Sequence, residues 1–156
     1  MIRSTKTSIY MANRCKREYL HSFLKEYRRA VQFFIDEVWG FEKVPIFLSK
    51  TTIDKFSGWL SKRALQCAGK QASGIVRGVR TKHDRRIWVS KKILEEGDIE
   101  GSKKLINFID AHPISKPQCN DIEAELDARF IKMDWNNQTS FDGWLTLSSF
   151  GKKLKK

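Results

Sequence analysis

A line of basic and hydrogen-bonding side chains between residues 63 and 80 is the part of the sequence with the clearest chemistry. Its members recur at steps of three and four residues, which places them on one face of a helix. At a rise of 1.5 Å per residue the line is about 25 Å long. It consists of Arg63, Gln66, Lys70, Ser73, Arg77 and Arg80. Arginine and lysine in such a line are suited to phosphate binding, arginine through paired hydrogen bonds and lysine as a point charge.

More basic residues follow directly, with Trp88 among them: Lys82, Arg85, Arg86, Lys91 and Lys92. Residues 50–92 hold twelve Lys and Arg against two Asp and Glu, whereas residues 93–127 hold three against nine. This density favours a polyanionic partner, either nucleic acid or an anionic membrane surface. The alternative is a solvated basic face that only keeps the protein in solution. We expect exposed arginines here, so that Arg77 and Arg80 are replaceable without loss of stability.

Catalytic patterns are missing from the sequence. The three histidines are scattered, at His21, His83 and His112, and form no H-x-x-x-H or H-E-x-x-H pair. There is no phosphate-binding G-x-x-x-x-G-K-[ST] loop and no G-x-S-x-G nucleophile motif. Glu123, Glu125 and Asp127 alternate and could hold magnesium, but a solvated acidic helix start is the favoured interpretation. We therefore predict no catalytic residue, no metal site and no cofactor.

The cysteines and the hydropathy pattern bear on the compartment. Cys15, Cys67 and Cys119 are far apart and form no C-x-x-C pair, which argues against a disulfide framework or a zinc ribbon. Three free thiols suit a reducing cytosol. The first twelve residues lack the apolar stretch of a signal peptide, and no run approaches a membrane span. The sequence therefore predicts a cytoplasmic protein.

The elements that would position these residues are mainly helical. Arg3 to Met11 alternates weakly and predicts a short strand. Asn13 is a plausible N-cap for an amphipathic helix of about six turns that ends at Gly40. A connector around Pro45 then leads to a short helix capped by Thr51 or Thr52.

A second long helix is predicted from about Ser57 to Val79, and residues 81–96 continue it after a bend near Lys82. Gly97 and Gly101 break the pattern. A further short helix then ends at His112-Pro113, and residues 113–121 are predicted to form a loop.

Two strands are predicted near the end of the sequence, Arg129 to Trp135 and Phe141 to Phe150, with residues 136–140 as their hairpin loop. Long helices followed by paired strands indicate the α+β fold class.

Three segments resemble the N-terminal half of TnpB-like proteins, the transposon-encoded RNA-guided nucleases of the OrfB type and relatives of the type V CRISPR effectors. They are Trp59 to Arg77, Glu125 to Lys132, and Ser140 to Lys152. The opening residues 2–9 and the helix around residues 27–35 fit the same pattern. The resemblance spans nearly the whole chain and rests on spacing and residue character.

The resemblance implies an incomplete wedge-like β-barrel with a basic helical recognition insert. Residues 1–12 and 123–156 would be the wedge-like elements, and residues 13–122 the insert. Such regions bind guide RNA and the RNA–DNA duplex, while an RNase-H-like domain with acidic metal ligands carries the chemistry. Residues 1–156 contain no such domain, so we expect no nuclease activity. The chain would be a fragment, a truncated product, or one part of a split protein with the nuclease half as its partner.

Three hypotheses remain. The first is a module that binds structured RNA or an RNA–DNA duplex through the cations of residues 63–92. The second is a basic helical protein that binds an anionic membrane surface or a protein partner; it needs a wide exposed apolar face beside the charges, and residues 60–79 offer little. The third is a metal-dependent nuclease with an unrecognised acidic site.

Overall fold

A computed structural model describes residues 12–135, 144–148 and 150–151. In this part the elements are α1 (Arg14–Trp39), α2 (Lys50–Asp54), α3 (Lys62–Glu95), α4 (Ile99–Ala111), a 3-10 turn (Ala128–Phe130), β1 (Ile131–Asp134) and β2 (Trp144–Leu147). The fold is α+β, mostly helical with a small antiparallel sheet. The predicted strand at residues 3–11 and the loop at residues 136–140 lie outside the described residues. No helix in the described part is long and apolar enough to cross a membrane.

Helix α1 begins and ends where its sequence predicts. The Asn13 side chain accepts a hydrogen bond from the backbone N–H of Lys16 at 3.1 Å, and Gly40 is the C-cap. Its apolar residues, spaced by three and four, are fully buried: Phe23, Tyr27, Ala30, Val31, Phe34, Ile35 and Val38. They pack against small residues of α3, among them Ala64, Ala68 and Ala72. Small side chains let the two helices approach closely.

Helices α1 and α3 run in the same direction. Tyr19, near the start of α1, contacts Trp59, just before α3, with ring centroids 5.8 Å apart. Arg80 contacts Trp39, the last residue of α1. Residues 40–61, called the connector below, therefore return along α1, and Lys55 forms an ion pair with Glu37 on the way.

A second returning segment, residues 113–127, lies along α1 and α3. The Tyr27 hydroxyl donates to the Glu125 carbonyl at 2.9 Å, and the Gln71 side chain donates to the Glu123 carbonyl at 2.7 Å. The backbone N–H of Cys119 donates to Gln32 at 3.0 Å. Residues 121–127 thus bind through backbone groups and are not helical, so the predicted acidic helix start is wrong.

Three other boundaries differ from the sequence expectation. Ser49 caps α2 in place of Thr51 or Thr52, because its hydroxyl accepts the Thr52 N–H at 3.2 Å. Helix α3 starts at Lys62, since Ser61 is its N-cap and Leu60 forms a β-bridge with Gly151. It then continues as one helix to Glu95, without a break at residue 82.

Beyond Arg80, α3 extends past the end of α1 and pairs with α4. No residue between 77 and 118 joins the hydrophobic core. The Ser102 hydroxyl of α4 donates to the Ser90 carbonyl of α3 at 2.9 Å, and both residues are buried. Gly97 separates the helices at φ +90°, a conformation that favours glycine. Gly101 lies inside α4, its N–H bound by Asp98 at 2.8 Å, so it is not the predicted break.

The predicted antiparallel pairing of the two late strands is confirmed within the described residues. β1 and β2 are antiparallel, and Ile131 pairs with Leu147 while Met133 pairs with Leu145. Phe130, just before β1, is fully buried beside Phe150, so the base of the hairpin is anchored in the core.

Candidate nucleic-acid interface

All nine cations that the sequence singles out for phosphate binding lie on α3: Arg63, Lys70, Arg77, Arg80, Lys82, Arg85, Arg86, Lys91 and Lys92. Because α3 is one continuous helix, the first and last of them are about 43 Å apart along its axis. The helix holds ten Lys and Arg against two Asp and Glu in all. One uninterrupted helix therefore carries a strong positive charge.

The cations fall into two groups around the axis. A rotation of about 100° per residue brings five of them and Trp88 into one sector about 80° wide. We call this sector the outer face; it comprises Arg63, Lys70, Arg77, Arg85, Trp88 and Lys92. Lys82 and Arg86 lie on another side, where the Arg86 guanidinium is 5.3 Å from the centre of the Phe108 ring of α4. Lys91 lies at the edge of the outer face.

Several of these cations are free to meet a ligand. Lys82, Arg85 and Lys91 are exposed, and none forms a side-chain hydrogen bond or ion pair within the described residues. Lys92 pairs with Glu95 at 2.6 Å, an exposed contact of small energetic weight. Lys70 is exposed, with its ammonium 5.8 Å from the Phe47 ring centre.

Arg80 differs from the free surface cation that the pattern predicts. Its guanidinium donates to the carbonyls of Trp39 and Phe41 at 2.6 Å each, and to that of Glu42 at 3.1 Å. It thus binds carbonyls at the C-terminal end of α1, where the helix dipole favours a cation. Arg80 holds α3 to the end of α1 and has little left to offer a phosphate.

Ser73 and Gln66 are the two remaining members of the predicted line, and they differ in burial. Gln66 is exposed, whereas Ser73 is fully buried and its hydroxyl has no hydrogen-bond partner among the described residues. Arg77 is partly buried, and its Nε donates to the Ser73 carbonyl at 3.3 Å. The exposed cations of α3 therefore follow a different line along the helix from the predicted one. It runs through Lys70, Arg85 and Lys92.

The middle of the outer face is unusually flat. Gly74 and Gly78 are exposed one turn apart, and no atom lies within 4 Å of the position where either would carry a Cβ. In the sequence Lys70 precedes this flat stretch, Arg77 lies between the two glycines, and Arg85 follows them. A ligand backbone can come close to the helix there while the longer cations reach around it.

Trp88 is an exposed aromatic side chain, 59% accessible, between Arg85 and Lys92 on the outer face. An exposed indole beside cations is the combination on which unpaired bases stack. Trp88 and Leu94 are the large apolar residues of α3 that are exposed.

One of the acidic residues that could have held magnesium has a side-chain partner of its own. Asp127 binds Arg129 in an ion pair, and the hydrogen bonds from Arg129 lower the pKa of its carboxyl. Among the described residues no three His, Cys, Asp or Glu side chains group as a metal site. Burial raises the pKa of the nearby Cys67 thiol, which disfavours the nucleophilic thiolate.

No protein family, no curated protein and no solved structure matches this chain. The function has to be argued from the geometry of α3 and its surroundings.

Proposed function

We propose that the chain is a nucleic-acid-binding module that contacts phosphates along the outer face of α3. The observation that carries the proposal is the alignment of Lys70, Arg85 and Lys92 with the exposed Trp88 on one uninterrupted helix. Cations supply sequence-independent phosphate contacts, and an indole supplies a stacking surface for a base. Structured RNA or an RNA–DNA duplex is the proposed partner.

Electrostatics supports a polymeric anion as the ligand. The nine cations span about 43 Å of the helix, and a duplex segment of that length carries about a dozen phosphates on each strand. Each phosphate that is neutralised releases condensed counterions, so several weak contacts add to a strong, salt-dependent affinity. A small anion can meet only one or two of the cations at a time.

An anionic membrane surface fits α3 less well. Membrane-surface helices need a broad apolar face next to their cations. On α3 the exposed large apolar residues are Trp88 and Leu94, and the centre of the outer face is glycine. That apolar area is too small to anchor the helix in a bilayer.

The wider architecture is part of the proposal. β1 and β2 would belong to an incomplete wedge-like barrel formed by residues 1–12 and 123–156, with residues 13–122 as the recognition insert. The module would then correspond to the guide-binding half of a TnpB-like nuclease, acting in the cytoplasm with a separate nuclease half as partner. This part of the proposal rests on the sequence resemblance.

The test is RNA binding as a function of salt, by fluorescence anisotropy with a labelled RNA duplex, an RNA–DNA hybrid and a single strand. Affinity should fall about 10³-fold between about 50 and 200 mM salt. Replacing Lys70 and Arg85 by Gln should lower the slope of log affinity against log salt by about two. The control replaces Lys103 and Arg14, an exposed lysine and arginine on other helices. Equal losses from both pairs would contradict the role of the outer face.

The absence of catalysis is tested with the same labelled substrates. We expect them to stay intact when the protein is incubated with magnesium. Cleavage that disappears on replacing Asp127 or another carboxylate of this chain would overturn that part of the proposal.

A further inference from the structure

A cleft of about 750 Å³ lies on α1, within the range typical of small-molecule pockets. Its floor is the side of α1 opposite to the buried stripe of Phe23, Tyr27 and Phe34. One wall is Phe56 of the connector, and the other is Cys119 and Asn120 of the second returning segment. The cleft therefore opens on a surface separate from the outer face of α3.

Three nitrogen-bearing side chains line the floor at helical spacing: His21, Lys25 and Arg28. Steps of four and three residues put them in one line about 10 Å long. His21 and Lys25 are exposed and have no side-chain partner within the described residues. The Nε of Arg28 donates to the Ile122 carbonyl at 2.9 Å, which fixes the guanidinium and leaves its two Nη groups available.

The acidic groups near the cleft are already neutralised. Asp36 binds Lys116 at 2.9 Å and accepts a hydrogen bond from Gln32 at 3.2 Å. Glu26 is bound by both ends of the Arg29 guanidinium, at 2.9 and 2.7 Å. The positive charge of Lys25 and Arg28 is therefore not opposed by a free carboxylate of the lining.

The other part of the cleft is aromatic. Phe33 and Phe56 meet edge to face with ring centroids 5.5 Å apart, and both line the cavity. The Arg29 guanidinium lies 4.5 Å from the Phe56 ring centre. Phe56 is buried and the Arg29 guanidinium lies over its ring, so the aromatic surface open to a ligand at this end is the half-buried Phe33.

We propose that this cleft binds a phosphorylated nucleoside, with the phosphate at His21, Lys25 and Arg28 and the base against Phe33. Such a group comes either from a free nucleotide or from the 5′-phosphorylated end of a strand. The site is independent of the outer face of α3, because it shares no residue with it.

The experiment is an NMR titration of the ¹⁵N-labelled full chain with AMP, adenosine and inorganic phosphate. AMP should shift the amides of residues 21–36 and 119–120 and bind more tightly than either half of the molecule. Lys25→Gln should weaken AMP binding at least about fivefold, because the charge-assisted contact is lost. Lys16→Gln is the matched control, an exposed lysine of the same helix outside the cleft.

Three results would overturn the site: adenosine or phosphate binding as tightly as AMP, shifts confined to other residues, or equal losses from Lys16→Gln and Lys25→Gln. The variant with Lys70 and Arg85 replaced by Gln should bind AMP as tightly as the unaltered protein does, because these residues lie outside the cleft. A loss of AMP binding in this variant would also overturn the proposed site. A 5′-phosphorylated RNA trinucleotide identifies the source. Tighter binding than AMP assigns the site to strand ends, and weaker binding assigns it to free nucleotides.

Discussion

The guanidinium of Arg80 donates to the carbonyl of Trp39 across 41 positions of sequence, at 2.6 Å. The same guanidinium lies 5.6 Å from the Trp39 ring centre. Two further carbonyls of the connector complete its contacts. These contacts join the end of α1 to α3 at the point where α3 leaves α1 and continues toward α4.

Replacing Arg80 by Gln should therefore lower stability. Three carbonyl acceptors at the end of α1 lose a charged donor, and hydrogen bonds to charged groups contribute about 1.5–3 kcal/mol each. We expect a loss of at least about 1.5 kcal/mol in the free energy of unfolding, measured by urea denaturation. Arg85→Gln is the control, because Arg85 has no partner in the described residues, and it should change stability by less than about 0.5 kcal/mol. Similar values for the two variants would show that the Arg80 contacts are not stabilising.

The contacts of Arg80 are also an example of a feature that the sequence does not predict. Periodicity correctly assigns α1 and the helical phase of α3, because both depend on neighbours three and four residues away. It cannot separate Arg80 from Arg85, since the partners of Arg80 are carbonyls of a connector whose path is set by tertiary packing. Ser73 illustrates the same limit: it shares a side of α3 with Gly69, and Leu48 and Ile53 of the connector lie against that glycine.

The two candidate sites also differ in whether the sequence alone identifies them. Lys70, Arg85 and Trp88 are identifiable from sequence because one helix presents them. The cleft on α1 is not, because Phe56 and Cys119 reach it from two returning segments that are far apart in the sequence. The excess of basic residues points to phosphate binding in both places, but it does not distinguish them.

Two glycines should respond in opposite ways to replacement by alanine. A Cβ on Gly58 would clash with Glu26 Oε1 and with the Phe56 ring, so Gly58→Ala should cost at least about 1 kcal/mol. Gly78 is exposed inside α3 with open space around it, so Gly78→Ala should stabilise the protein by about 0.5–1 kcal/mol. Thermal unfolding of both variants checks the pair. A stable Gly58→Ala protein would show that the connector can move away from α1.

The contact between Glu26 and Arg29 predicts a loss of stability in acid. The hydrogen bonds from Arg29 hold the pKa of the Glu26 carboxyl below its ordinary value of 4.5. A carboxyl with a lowered pKa in the folded state stabilises the protein above the unfolded-state pKa, and the contribution is lost as pH falls through the folded-state value. Stability should therefore decline from about pH 5 downward. The variant Glu26→Gln should show a shallower decline in urea denaturation between about pH 5 and 3; an unchanged slope would assign the acid sensitivity to other carboxyls.

Trp88 allows the kind of nucleic acid to be distinguished. Bases in a duplex are stacked on each other, whereas bases of a single strand are free to stack on an exposed indole. Stacking contributes about 1–3 kcal/mol per base, so Trp88→Ala should weaken single-strand binding about 5- to 150-fold. If the duplex is held through phosphates alone, the same variant should bind it nearly as well as the unaltered protein does.

The control for Trp88 is Leu94→Ala, which removes an exposed apolar side chain of the same helix at its far end. Anisotropy of the unaltered protein and the two variants, with a single strand and with an RNA–DNA hybrid at one salt concentration, gives the affinities needed. A loss of affinity for the single strand alone indicates that a base stacks on Trp88 in addition to the phosphate contacts. The cations can bind the phosphates of both ligands, whereas the indole can stack only on the unpaired bases of the single strand. Equal losses on both ligands would mean that Trp88 packs against the sugar–phosphate backbone. No loss on either would remove Trp88 from the interface, and the outer face would then bind through its cations only.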